Sequence, residues 1–239
     1  MDEPEPESLS GLVVAALDAL RENRTTAEPM HRMCQACVSL LPVDGTSLSV
    51  IPSPGRRETF CATDKVIAHA DDVQFSLGEG PCYEAFDTGR PVLVPDLAQD
   101  ASPAWPVFAA EIHTEPIGAL FAFPLRRGAA RLGGLDMYRR RPGWLSTRDI
   151  ATAVRIADIA TAVLLSTASG HGDPPSLDGL IHNHAVVHQA TGMVIAEFRI
   201  PVDQALARLR GYAFSSGRRL DDIATDMVGG RLHPNVLSW

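Results

Sequence analysis

The chain reads as an α+β protein, an antiparallel sheet flanked by helices, followed by a separate all-α unit of three helices. Three observations predict this. Segments that alternate apolar and polar residues, such as GTSLSVI (45–51) and RRETFCAT (56–63), are interleaved with segments of helical spacing. The stretch TASGHGDPPS (167–176) sets Gly170, Gly172, Pro174 and Pro175 between two helical patterns and ends both. Beyond it, Leu220, Ile223, Ala224, Met227 and Val228 follow i, i+3, i+4, i+7 and i+8, a stripe that partner helices must cover.

In chain order, an acidic segment over 1–8 is expected to be disordered. LSGLVVAALDAL (9–20) and EPMHRMCQACVSLL (28–41) are predicted helices, followed by a hairpin over 45–63. DKVIAHADDVQ is a predicted helix, GEGPCYEAFDTGR a turn and short helix, PVLVPDL a short strand and WPVFAAEIHT a helix. IGALFAFPL and ARLGGLDMY are strands, and LSTRDIATAVRIADIATAVLLS (145–166) is a long helix capped by Ser146 or Thr147. A linker over 169–177 separates this first domain (9–168) from a second at 178–232 with a tail at 233–239. The second contains helices over 178–198, 202–214 and 220–231. Val187, Ala190, Val194 and Phe198 face the stripe of the third helix together with Ala205, Leu206, Leu209 and Ala213. Gly192, in mid-helix, costs roughly 1 kcal/mol relative to alanine, so a neighbouring helix is expected to approach closely there.

Composition narrows the function. No aliphatic run approaches the roughly 18–20 residues of a membrane span, and MDEPEPES is acidic where a signal peptide is basic, so a cytoplasmic protein is expected. Four cysteines in 239 residues do not make a secreted disulfide framework, and reduced thiols are expected. The helix over 145–166 carries Ile150, Val154, Ile156, Ile159, Val163 and Leu164, more apolar residues than a one-sided helix needs, which predicts a homodimer. The formal charge is −8, and residues 177–239 balance six arginines against six acids, so all of it lies upstream. A nucleic-acid partner should therefore touch the C-terminal unit.

FSLGEGPC (75–82), TGRPV (88–92), the pair of strands rich in small apolar residues and the long helix resemble, in order and spacing, the GAF domain, a small-molecule sensor module. QATGMV (189–194), DQALARLR (203–210), Ala213-Phe214 and RRLDDIA (218–224) resemble the ANTAR domain, a three-helix RNA-binding module of transcription antitermination regulators. Thr191 stands where that family commonly has lysine, which removes a phosphate-binding charge. The two resemblances imply a regulator whose sensor responds to a small-molecule ligand or a redox event and controls binding to hairpin RNA in a nascent transcript. The GAF pocket is then expected to be lined by Phe75, Cys82, Phe121 and Phe123. RNA contacts are expected from Gln189, Thr191, Arg208, Arg210, Tyr212, Arg218 and Arg219, because arginine holds phosphates bidentately and tyrosine offers a stacking face.

Other chemistry is less well supported. His184 and His188 are four apart on a helix beside His182, but no further ligand follows at a useful spacing, and they read as polar positions on an exposed or dimer-facing surface. Cys34 and Cys37 form a CxxC inside a helix, where ordinary packing is expected. No GxSxG, P-loop or dinucleotide fingerprint occurs, no catalytic set emerges and no cofactor is indicated. Two alternatives stay open: a DNA-binding regulator, because RRLDDIATDMV also resembles part of a helix-turn-helix, and a GAF-type redox enzyme.

Overall fold

The computed structural model of the chain describes residues 27–53, 56–100, 104–168 and 184–238. The acidic segment, the predicted helix over 9–20 and the linker lie outside the described residues. Helix α1 (Ala27–Leu40) leads into β1 (Gly45–Ser53) and β2 (Arg56–Ala62). Then follow α2 (Lys65–Leu77), α3 (Pro81–Thr88), β3 (Val92–Val94), α4 (Leu97–Asp100), α5 (Pro106–Ile112), β4 (Ala119–Arg127), β5 (Ala130–Arg139) and α6 (Thr147–Ala168). The five strands form one sheet in the order β2-β1-β5-β4-β3, with antiparallel pairing at β1–β5, β5–β4 and β4–β3.

Local chemistry sets the boundaries. Asp64 caps α2 by accepting from the amides of Val66 and Ile67, and Gly78 ends it at φ 73°, a left-handed conformation that glycine adopts without strain. Ser146 and Asp149 form a reciprocal box at the start of α6: the Asp149 amide donates to Ser146 Oγ, while Asp149 accepts from the Ser146 amide and hydroxyl. This identifies Ser146 as the cap.

The period of two along the strands divides the core. Phe121 and Phe123 on β4 oppose Met137 and Leu135 on β5, and these four join Leu48 and the buried residues of α1 and α6 on one face. Leu120 and Tyr138 lie on the other face with Ile67 and Val73 of α2, Trp105, and Phe108 of α5. Burying a phenylalanine of this kind contributes roughly 1.5–3 kcal/mol.

One expectation changes here, and the ground for another narrows. Of the six apolar residues of α6, Ile156 and Val163 are buried, Ile150, Ile159 and Leu164 pack against the same core, and only Val154, 38 % exposed, faces outward. The surplus that suggested a homodimer is thus largely absorbed within one chain. Cys34 is bonded to Cys61, which ties α1 to β2, instead of being a reduced thiol; Cys37 and Cys82 are buried and outside this disulfide.

The C-terminal unit consists of α7 (Ala185–Phe198), α8 (Val202–Ser216) and α9 (Leu220–Val228), closed by a 3-10 turn, Pro234–Leu237. Val187, Ala190, Val194, Ala205, Leu206, Leu209, Ala213, Leu220, Ile223, Ala224 and Met227 are all buried, so the apolar stripes pack as their spacing predicts. Helix α9 stops three residues short of the predicted Arg231, because Gly229 and Gly230 leave the helix and the Arg231 amide returns to the Asp226 carbonyl. Val228, the last member of its stripe, is exposed. The segment after 233 is no free tail: Leu237 is fully buried and its carbonyl accepts from Arg208.

The space around Gly192 is open. A Cβ there would meet nothing within 4 Å, so no neighbouring helix of this unit explains it. His184 is buried and its Nδ1 lies 3.8 Å from Asp221 Oδ1, which corrects its assignment to an exposed surface; His188 is half-buried. His182 lies outside the described residues.

Candidate functional site

In the N-terminal domain, the sheet face turned toward α2 and α3 carries a polar seam. Ser47 and Ser49 come from β1, Asp136 from β5 opposite Ser47, Thr59 from β2, and Asp71 and Gln74 from α2; all are buried. Asp71 accepts from Ser49 Oγ at 2.9 Å and from Thr59 Oγ1. Gln74 joins the helix layer to the sheet: its amide nitrogen donates to Asp136 Oδ2 at 2.8 Å, and its oxygen accepts from the Cys82 amide at 2.8 Å. Carboxylates at such depth persist when donors surround them, which is what the hydroxyls and the amide supply.

Glycine brings α3 onto this seam. A Cβ on Gly134 would stand 2.5 Å from Cys82 Sγ, and one on Gly80 would run into Gln74 at 2.6 Å, so both positions let the Gly-Glu-Gly-Pro-Cys turn sit directly against β5 and α2. Glu79 fixes the turn further by accepting from the amides of Val107 and Phe108 at 2.8 Å each, and Glu84 accepts from Trp105 Nε1 at 2.7 Å.

The four residues expected to line the pocket do not come together. Cys82 lies on the seam and Phe75 is buried on α2 beside Gln74, but Phe121 and Phe123 belong to the opposite face of the sheet, with α1 and α6. Alternation along β4 forces this, since Phe121 and Phe123 share a phase opposite to Leu120 and Ala122. Sequence reasoning missed Gln74, Asp71 and Asp136. Two acids and a glutamine at helix or strand positions that should be buried were the available signal. Cys37 is also remote from solvent, and burial pushes its thiol up to about 12, so it stays protonated.

The arginines of the C-terminal unit differ in their surroundings. Arg208 is half-buried, with its guanidinium 4.6 Å from the centre of the Phe198 ring and a hydrogen bond to the Leu237 carbonyl, so it fastens the end of the chain to the bundle. Thr191 is buried and donates to the Val187 carbonyl, which turns its hydroxyl into the helix. Arg218 pairs with Asp226, which Arg231 also holds from the other side; the hydrogen bond to Asp226 raises the Arg218 pKa, and Arg218 and then Arg231 lower that of Asp226. Tyr212 is close enough to Arg218 to influence it. The Arg219 side chain is 69 % exposed beside Asp221, Gln189 is exposed on α7, and Arg210 and Tyr212 are half-buried on α8. Among the described residues no group of three or more His, Cys, Asp or Glu could hold a metal ion, and no helix is long and apolar enough to cross a membrane.

Comparison with known proteins agrees with this architecture. The GAF domain model matches residues 8–164 and the ANTAR domain model residues 177–228. No curated protein matches the chain significantly. Among solved structures, the GAF domain of a phosphoenolpyruvate-protein phosphotransferase from Coxiella burnetii is 14 % identical, with a TM-score of 0.54 over 69 % of this chain and 97 % of that one. The phycoerythrobilin-bound GAF domain of a cyanobacterial phytochrome is 11 % identical, with the same score and coverages. The free methionine-R-sulfoxide reductase of Neisseria meningitidis, bound to its substrate, is 11 % identical, with a TM-score of 0.50 over 70 % of this chain and 94 % of that one. Identities this low establish the fold alone. With a GAF model covering most of its length and an ANTAR model covering the three helices that follow, the chain belongs to the GAF and ANTAR domain-containing regulators.

Proposed function

We propose that this protein binds hairpin RNA in nascent transcripts through α7–α9 and promotes antitermination under the control of a small molecule or redox event sensed by the GAF domain. The ANTAR match over 177–228 carries the proposal. Arg219, Arg218, Arg210, Tyr212 and Gln189 remain the proposed RNA-contacting set; Arg208 and Thr191 are left out because their side chains are committed inside the unit. On the sensor side, Cys82 and Phe75 stay in the proposed ligand site, now with Gln74, Asp71 and Asp136, while Phe121 and Phe123 leave it. Affinity measured for hairpin RNA against duplex DNA of the same sequence tests the proposal, together with read-through at a terminator downstream of the hairpin. Equal affinity for duplex DNA would favour a helix-turn-helix regulator and overturn it.

We also propose a regulator with no catalytic turnover of its own. The support is the state of the thiols: Cys34 and Cys61 are bonded, Cys37 is held protonated by burial, and Cys82 is buried under Gly134. Reduction of free methionine sulfoxide with thioredoxin as the electron donor would contradict this.

A further inference from the structure

The sequence Arg139-Arg140-Arg141-Pro142-Gly143-Trp144, between β5 and α6, is outside both sites described above, and it exposes 64 % of a tryptophan. The loop is rigidly built. The Gly118 amide donates to the Arg139 carbonyl at 2.7 Å, the Gly143 amide donates to the Pro95 carbonyl at 2.7 Å, and Asp44 accepts from the Arg140 amide at 2.8 Å. A Cβ on Gly118 would stand 2.6 Å from the Arg140 carbonyl oxygen, so the turn before β4 packs against the loop backbone itself. Gly143 has φ 145°, which only glycine adopts without strain, and Leu145, directly after the tryptophan, is buried. Trp144 is thus held at its backbone on both sides while its indole faces solvent.

The charges around it are unequal. Arg140 is engaged by the Tyr138 hydroxyl, near Asp44 and Asp64, and Arg139 reaches back toward the carbonyls of Gly143 and Trp144. Arg141 is exposed, and among the described residues no hydrogen bond or ion pair holds its side chain, while its backbone packs at Gly118. An exposed indole on a fixed backbone, three residues along the loop from an exposed arginine, matches the two needs of a single-stranded nucleic acid, an unstacked base to cover and a phosphate to neutralise. A duplex satisfies the second need only, because its bases are already stacked.

We infer that Trp144 and Arg141 form a second RNA contact, on the sensor domain, which takes a single-stranded segment of the transcript that carries the hairpin. The inference rests on the reading of the chain as an RNA-binding regulator, but it uses different residues on a different domain. Because the backbone that carries the indole is already held, stacking has only the rotation of the side chain to immobilise.

The test uses the full chain with Trp239→Phe. Its remaining tryptophans are then Trp105, 1 % exposed, and Trp144. The probes are a mixed-sequence single-stranded RNA of about twelve nucleotides, within the usual site size, and a blunt hairpin without flanks. The single strand is expected to quench Trp144 fluorescence in a salt-sensitive manner. Trp144→Ala and Arg141→Ala, measured by a labelled probe, are each expected to weaken single-strand binding about fivefold or more while hairpin affinity and melting temperature stay unchanged. Hairpin binding without quenching by the single strand overturns this inference alone. Single-strand quenching with no hairpin binding overturns the antitermination reading and leaves this contact standing.

Discussion

Cys34 and Cys37 are one helical turn apart and have opposite chemistry, because only Cys34 faces a cysteine on β2. A CxxC in sequence shows the spacing within one helix and says nothing of Cys61, 27 residues away, so the bridge was not legible there. Closing a loop of that length is worth about 3–4 kcal/mol in the chain-entropy account, so Cys61→Ser should lower stability by roughly that amount in denaturant unfolding, and dithiothreitol should do the same to the native protein. Cys37, with its thiol pushed up to about 12 by burial, should resist iodoacetamide at pH 8 in the folded chain and react only after unfolding. Mass spectrometry after alkylation reads both. Gly192 offers a second test at this scale: with open space around it, Gly192→Ala should raise the melting temperature of the C-terminal unit by the equivalent of about 1 kcal/mol, and a loss of stability would mean that something does approach it.

At the scale of elements, order and boundaries were well expressed in the sequence, since caps and breakers act locally. Asp64 before α2, Ser146 before α6 and Gly217 after α8 stand at the ends that their chemistry requires. What the alternation of a strand does not express is which of its two phases turns toward which layer of helices. Phe121 and Phe123 were the most conspicuous side chains of β4, but they serve the α1–α6 face, and the seam is made by the small and polar phase of β1 and β5. The start of α9 shows another limit, for Arg218, just before the helix, pairs with Asp226, eight residues on and within it. Because Arg218 and Arg231 hold the Asp226 carboxylate below its ordinary pKa, the stability it contributes is present at neutral pH and is lost as pH falls below the usual carboxylate range through the lowered value. Asp226→Asn should therefore lower the melting temperature at pH 7, and by progressively less as pH falls below the usual carboxylate range. The same substitution releases two guanidinium groups, so hairpin RNA affinity at pH 7 should rise; a fall would mean that Asp226 orients Arg218 for RNA.

For the whole molecule, the charge distribution sets how RNA can be bound. Residues 177–239 balance six arginines against six acids, and the upstream part carries the entire −8, so there is no general positive field and affinity must come from a few local contacts. Clustering in sequence made Arg208, Arg210, Arg218 and Arg219 look like one patch, but helical rotation and the returning 3-10 turn turn Arg208 inward onto Phe198 and the Leu237 carbonyl. With Arg210, Arg218 and Arg219 as the phosphate contacts, log affinity for a hairpin stem should fall with log salt at a slope of about −3, and Arg219→Ala should reduce that slope by about one. Arg208→Ala should behave differently. It removes a cation–π contact and a charge-assisted hydrogen bond, so it should lower stability by about 1–3 kcal/mol while the salt slope stays the same. Melting by circular dichroism and RNA titrations at four salt concentrations separate the two effects. If Arg208→Ala instead flattens the slope in a protein that melts normally, its guanidinium must leave Phe198 to meet phosphate, and the C-terminal turn would have to open when RNA binds.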